Sequence, residues 1–120
     1  MGVESIQSKL TIMGVPRDQA VTKIVRTATL TAQTLEVWEQ VVQVDTDTTD
    51  GTFTLTLPPV AEAAGKIYSI TLIDAAGAVT VQDQDDSLDW TNFTDLDADN
   101  DGILLYSDGL KWWTLLDDVA

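Results

Sequence analysis

The stretch DLDADNDGILLYSDGLKWW, residues 95–113, holds the side chains whose types and spacing come nearest to doing chemistry. A calcium loop of the EF-hand kind takes its ligands from positions 1, 3, 5, 7, 9 and 12, with glycine at position 6. Counted from Asp97, the first three ligand positions are Asp97, Asp99 and Asp101, the glycine is Gly102 and position 12 is Asp108. The second half of the stretch reads differently, as two strands, ILLYS and LKWWTLL, joined by an Asp108-Gly109 turn. These readings compete for the same residues. Five extended residues, 103–107, carry the chain roughly 16 Å, which removes Asp108 from any ion held by Asp97 and Asp99. Flanking helical patterns are missing too, so a complete EF-hand is excluded. Two readings remain: a solvated acidic turn in which Gly102 relieves the backbone, and a partial calcium site on Asp97, Asp99 and Asp101.

Other chemistry finds less. The 120 residues include no histidine and no cysteine, which removes the commonest general base and thiolate metal sites. No serine or threonine has a histidine to activate it, and no glycine-rich phosphate loop is present. Sixteen Asp and Glu within residues 45–120 make close carboxylate pairs by chance, so a glycosidase pair is not implied. Trp90, Trp112 and Trp113 offer rings on which sugars could stack. Adjacent strand residues point to opposite faces, so the favoured reading of Trp112 and Trp113 is one ring in the core and the other at an interface. No enzyme is expected.

Net charge is −14, unevenly distributed. Residues 1–44 carry four basic and four acidic side chains, whereas residues 45–120 carry sixteen acidic ones against Lys66 and Lys111. Such a body is repelled by nucleic-acid phosphates and anionic membranes, so neither is an expected partner. No apolar run reaches the roughly 18 residues of a membrane span, and the N-terminus lacks the basic start of a signal peptide. A soluble, unprocessed chain is expected.

The elements that must position these side chains are mostly strands. Residues 1–34 form an arm, in which Ala20, Val21, Ile24 and Val25 recur at helical spacing after Pro16 while TATLTAQT alternates. A short helix or extended segment packing on something outside the domain fits, with Ile12, Val15, Ile24 and Val25 as candidate interface residues beside Trp112 and Trp113. LEVWEQVVQV reads as a strand. TFTLTL alternates without a fault, with Phe53, Leu55 and Leu57 on one face and threonines on the other, as in a half-buried antiparallel strand. Pro58-Pro59 ends it, VAEAAG makes one helical turn closed by Gly65, KIYSITLI follows, and AVTVQ returns from a DAAG turn. The expected fold is all-β: a small antiparallel β-sandwich or barrel, residues 35–120, with the arm before it and no tandem repeat.

The run TDGTFTLTLPPVAEAAGKIYSITLIDAAGAVTVQDQD, with LLYSDGLKWWTLL after it, resembles a module of tailed-bacteriophage virion proteins, namely head decoration proteins, head fibres and tail-fibre knobs. The resemblance is carried by Leu57-Pro58-Pro59, by Gly65-Lys66 opening a strand, by VTVQ at residues 79–82, and by Ser107-Asp108-Gly109 followed by Trp112. It spans about residues 49–116 and includes no catalytic signature. It implies a structural virion protein, a homotrimer displayed on the capsid surface, whose partner is the major capsid protein. On that reading residues 1–30 contact the shell and the acidic body faces solvent. The alternative it leaves is a tail-fibre or receptor-binding knob that recognises a host-surface glycan.

Overall fold

The computed structural model describes residues 21–46 and 51–119. It contains nine strands and, among the described residues, no helix: β1 Thr22–Val25, β2 Ala32–Thr34, β3 Val41–Asp45, β4 Phe53–Thr56, β5 Ile67–Asp74, β6 Val79–Gln82, β7 Phe93–Leu96, β8 Gly102–Ser107 and β9 Trp112–Asp118. They form two sheets, one of five strands in the order β1-β3-β5-β8-β9 and one of four in the order β2-β4-β6-β7. The all-β, sandwich-like expectation holds; a closed barrel does not form, since both sheets have ends.

The antiparallel expectation needs correction. From β1 to β6 the chain changes sheet at every connection, so β1, β3 and β5 run parallel in one sheet and β2, β4 and β6 run parallel in the other. Two strands of one sheet are therefore joined by way of a strand in the opposite sheet, which takes the place of the long crossover that parallel pairing requires. Only the last third is antiparallel, with β7 on β6, β8 on β5, and β9 on β8. Accordingly AVTVQ does not return beside KIYSITLI: β5 and β6 lie in different sheets.

Alternation explains the core. Val42, Val44, Tyr68, Ile70, Leu72, Ile103 and Leu105 point inward from the five-stranded sheet and meet Phe53, Leu55, Val79, Val81 and Leu96 from the other. Thr54, Thr56, Thr80 and Gln82 cover the outer face of the smaller sheet, where Gln82 Nε2 donates to Thr56 Oγ1 over 2.9 Å.

The connections are tight. Thr46, fully buried, donates its hydroxyl to Gly77 O (2.7 Å) and accepts the amides of Ala76 and Gly77. Gly77 in turn lies against the Gly51 backbone so closely that a Cβ there would collide with the Gly51 carbonyl. At the other end, Pro58-Pro59 leads into a helical turn at residues 59–63, where Ala63 N donates to Pro59 O, and Gly65 follows with φ +81°.

Two further expectations change. The arm does not extend as far as residue 34: β1 and β2 are members of the two sheets, and Ile24 and Leu35 belong to one core. Residues 22–25 are a strand rather than a helix, because their amides and carbonyls are used in pairing with β3. LEVWEQVVQV is a strand only from Val41; residues 35–40 form a loop stapled by Glu39, whose carboxylate accepts Glu36 N (2.8 Å) and the Thr22 hydroxyl (2.7 Å).

These contacts set an order of sensitivity. Leu55→Ala is expected to lower the unfolding free energy by about 2–5 kcal/mol and Thr54→Ala, one residue away on the solvent face, by less than about 1 kcal/mol. Gly77→Ala should cost more than about 1 kcal/mol through overpacking against Gly51. Denaturant unfolding of the three variants measures all of this, and equal effects at residues 54 and 55 would contradict the facing.

Candidate docking surface

The acidic turn and the hairpin are both present, and the structure separates their roles. Asp101 is buried, and its Oδ2 accepts the amides of Asp97 (3.1 Å) and Ala98 (3.0 Å). Asp99 Oδ1 accepts Ala75 N at 2.8 Å, while Asp97 is exposed. The carboxylates of Asp99 and Asp101 are thus directed at different neighbours, and among the described residues no three acidic side chains are grouped to hold a metal ion. The partial calcium reading is corrected: the three carboxylates are not brought together, and those of Asp101 and Asp99 are turned to backbone amides instead. The left-handed residue is Asn100 (φ 69°) and not Gly102, which opens β8 against Thr71.

The hairpin loop is four residues, 108–111, instead of a two-residue Asp-Gly turn, since Ser107 pairs with Trp112. Gly109 has φ +96°, which glycine adopts without the steric cost of a side chain. Asp108 organises the loop. Its Oδ1 accepts Leu110 N and Lys111 N (both 2.8 Å), and its Oδ2 accepts Trp113 Nε1 at 2.9 Å. The Trp113 bond, followed by the two amides, holds the Asp108 carboxyl below its ordinary pKa. Lys111 Nζ sits 4.0 Å from the Trp113 ring centroid, in a cation–π arrangement, and 4.0 Å from Asp89 Oδ2.

Below the loop the hairpin is anchored in the body. Buried Ser107 donates its hydroxyl to Val60 O over 2.6 Å, and Trp112 N donates to Ser87 Oγ over 2.9 Å. The Trp112 ring meets Tyr68 edge-on, 5.4 Å between centroids. Tyr68 donates to Val37 O at 2.6 Å, and burial pushes its pKa up to about 12. The loop DQDDSLD is drawn in as well: Asp83 Oδ2 accepts Ser87 N and Asp86 Oδ2 accepts Val60 N.

Trp112 and Trp113 divide as alternation demands, the first buried and the second 46 % exposed. Of the other candidate interface residues, Ile24 is a core residue and Val25 is exposed on β1, at the far edge of the sheet from β9. Ile24 and Trp112 are therefore corrected from interface to core, because both point between the sheets. Ile12 and Val15 lie outside the described residues.

What the structure adds is an apolar outer face at the β8–β9 end of the five-stranded sheet. Register aligns Ile67, Tyr106 and Trp113 in one row and Val41, Ser69, Leu104 and Leu116 in the next. Ile67, Val41 and Leu116 are all exposed, Leu116 to 64 %. Beside them a shallow groove of about 270 Å³ opens over Ser69, Thr71 and Gly102, walled by Leu104, Leu116 and Asp118. Clustered exposed apolar side chains of this kind mark interaction surfaces. Sequence reasoning found Trp113 but missed Val41, Ile67, Leu104 and Leu116, because the outward phase mixes apolar with polar residues (Val41 with Gln43, Ile67 with Ser69 and Thr71) and so reads as a solvent face, while ILLY is apolar on both faces.

Two outcomes follow for this region. Asp101→Ala should destabilise by about 1–3 kcal/mol, by leaving amides unpaired, and Asp97→Ala by no more than about 0.5 kcal/mol; equal losses that a chelator reproduces in the parent protein would restore the calcium reading. The Asp108 pKa is depressed on folding, so its stabilising effect is present above the ordinary carboxylate pKa and fades as pH falls through the lowered value. The Trp113 indole N–H resonance should shift in that acidic window and should not titrate in Asp108→Asn. Comparison with family models, with curated proteins and with solved structures finds no match.

Proposed function

We propose that this chain is a binding module of a larger particle: a structural virion protein of a tailed bacteriophage that decorates the outer capsid shell by attaching to the major capsid protein. One observation carries the reading. A body with thirteen acidic side chains between residues 62 and 118 keeps a contiguous apolar surface over Val41, Ile67, Leu104, Trp113 and Leu116, a division suited to adhesion and of no evident use to catalysis. The resemblance of residues 49–116 to phage head and fibre modules supplies the particle.

Residues 1–20, with two basic and two acidic side chains, carry no net charge, and the attachment role falls to them. Residues 22–34 are built into the sheets and are unsuited to a detachable arm. Truncation should therefore stop at residue 20, where β1 remains intact. The truncated protein is expected to keep its fold and to lose binding to undecorated capsids in a co-sedimentation assay; full retention of binding would end the attachment assignment.

The alternative is a glycan-recognising knob of a tail fibre. Trp113 is exposed enough to stack on a sugar, but Lys111 covers one face of its ring and Asp108 holds its N–H. A glycan array that gave specific binding, lost in Trp113→Ala, would favour this alternative.

A further inference from the structure

β5 is the middle strand of the five-stranded sheet, with β3 and β1 on one side and β8 and β9 on the other. At β9 the edge of the sheet is closed where the strand begins, because Ser87 Oγ accepts Trp112 N and Leu88 N donates to Leu110 O. The surface left open is the outer face, whose residues stand in rows across the strands. One row is Val41 on β3, Ser69 on β5, Leu104 on β8 and Leu116 on β9. The next is Lys23 on β1, then Gln43, Thr71, Gly102 and Asp118. A cation stands at one margin of this row and an anion at the other, and neither forms an ion pair with any described residue. Between them Gly102 has no side chain, which opens the shallow groove bounded by Leu104, Leu116 and Asp118.

This order is its own complement. A two-fold axis parallel to β5, midway between two facing outer surfaces, reverses each row and keeps its height along the strands. Lys23 then comes over Asp118 of the second copy, and Asp118 over Lys23 of the second copy. Gln43, half-buried on β3, comes over Gly102 of the second copy and fills the groove there. In the apolar row Val41 meets Leu104 of the second copy, and on the middle strand Ile67 and Ser69 each meet their own counterpart. An axis along the charged row would set like charges together instead.

We propose that a second copy of this chain packs on the outer face of the five-stranded sheet, β5 across β5, as an isologous dimer. Facing sheets stand about 10 Å apart, a gap that lysine and aspartate side chains bridge from opposite sides, and the four-stranded sheet of each copy faces away. Five strands about 4.8 Å apart and about 20 Å long offer roughly 500 Å² per copy in projection. The contact therefore totals about 1,000 Å², the lower bound for a specific interface, and the dimer is a weak one. It stands in place of the trimer implied by the phage resemblance. It does not depend on capsid attachment, which is assigned to residues 1–20.

Sedimentation velocity of the full chain, in a concentration series up to about 1 mM, tests this. The expected species has twice the 13.0 kDa chain mass. Lys23→Asp and Asp118→Lys alone should each weaken the dimer by about tenfold, and the two together should restore it. Both positions are exposed, and thermal melts verify that each variant is folded. The chain has no cysteine of its own, so a short bis-maleimide reads the axis directly. It should join two copies of Ser69→Cys and should not join two copies of Thr80→Cys, on the outer face of the other sheet. A monomer throughout, a trimer, a dimer indifferent to the charge exchange, or equal cross-linking at residues 69 and 80 would overturn the proposal. Capsid co-sedimentation reports separately on attachment, so the failure of one leaves the other readable.

Discussion

The fold depends on one constraint: from β1 to β5, no strand pairs with the strand that follows it in sequence. Each must cross the thickness of the sandwich, roughly 10 Å between facing sheets, and its pairing partner arrives only a full coil later. The crossings therefore have to be compact and internally bonded. The Thr46 hydroxyl joins one crossing to the next through Ala76 and Gly77, and Gly77 gives the Gly51 backbone room to pass. At the opposite end Tyr68 reaches Val37 O and Ser107 reaches Val60 O. Polar groups buried at the ends of the sandwich thus do the work that tight hairpin turns do in an antiparallel sheet, and they give backbone groups of these crossings their hydrogen-bond partners.

This arrangement explains which parts of the sequence could be read. Alternation states a face, and it stated Phe53, Leu55 and Leu57 correctly because the threonines between them are polar. It does not state a direction. Whether TFTLTL runs parallel or antiparallel to its neighbours is decided by where the chain goes after Pro58-Pro59, and proline ends a strand without saying which sheet comes next. The winding escaped notice as a repeat because its spacing is uneven: the parallel strands begin at residues 22, 41 and 67 in one sheet and at 32, 53 and 79 in the other. The β8–β9 hairpin was legible since its strands are adjacent in both sequence and space, although its loop proved longer than the Asp-Gly pair suggested. Residues 35–40 were misread for the opposite reason. They have the β-branched and aromatic composition of a strand, but the Glu39 side chain occupies the Glu36 amide, and the loop folds on itself.

The acidic loops show how far composition misleads about chemistry. Aspartates at alternate positions look like ligands. Here Asp83, Asp86, Asp99, Asp101 and Asp108 each accept one or more backbone amides, the ordinary use of a short carboxylate in a turn. Carboxylates bonded in this way cap loops that connect exposed strand ends, and they place negative charge around the rim of the molecule while the outer face of β5, β8 and β9 is left nearly free of it.

That separation bears on what the body can bind. Sixteen acidic side chains in one part of the chain repel other acidic surfaces that come within a Debye length, about 8 Å at physiological salt, and beyond that distance the repulsion is screened. Along β9 the local pattern is a cation, an apolar middle and two anions, and the cation's end is tied to the body, where Ser87 accepts Trp112 N and Leu88 N donates to Leu110 O. The body charge opposes acidic partners over most of the surface, so specificity at the apolar outer face comes from repulsion over the body as much as from attraction at the patch.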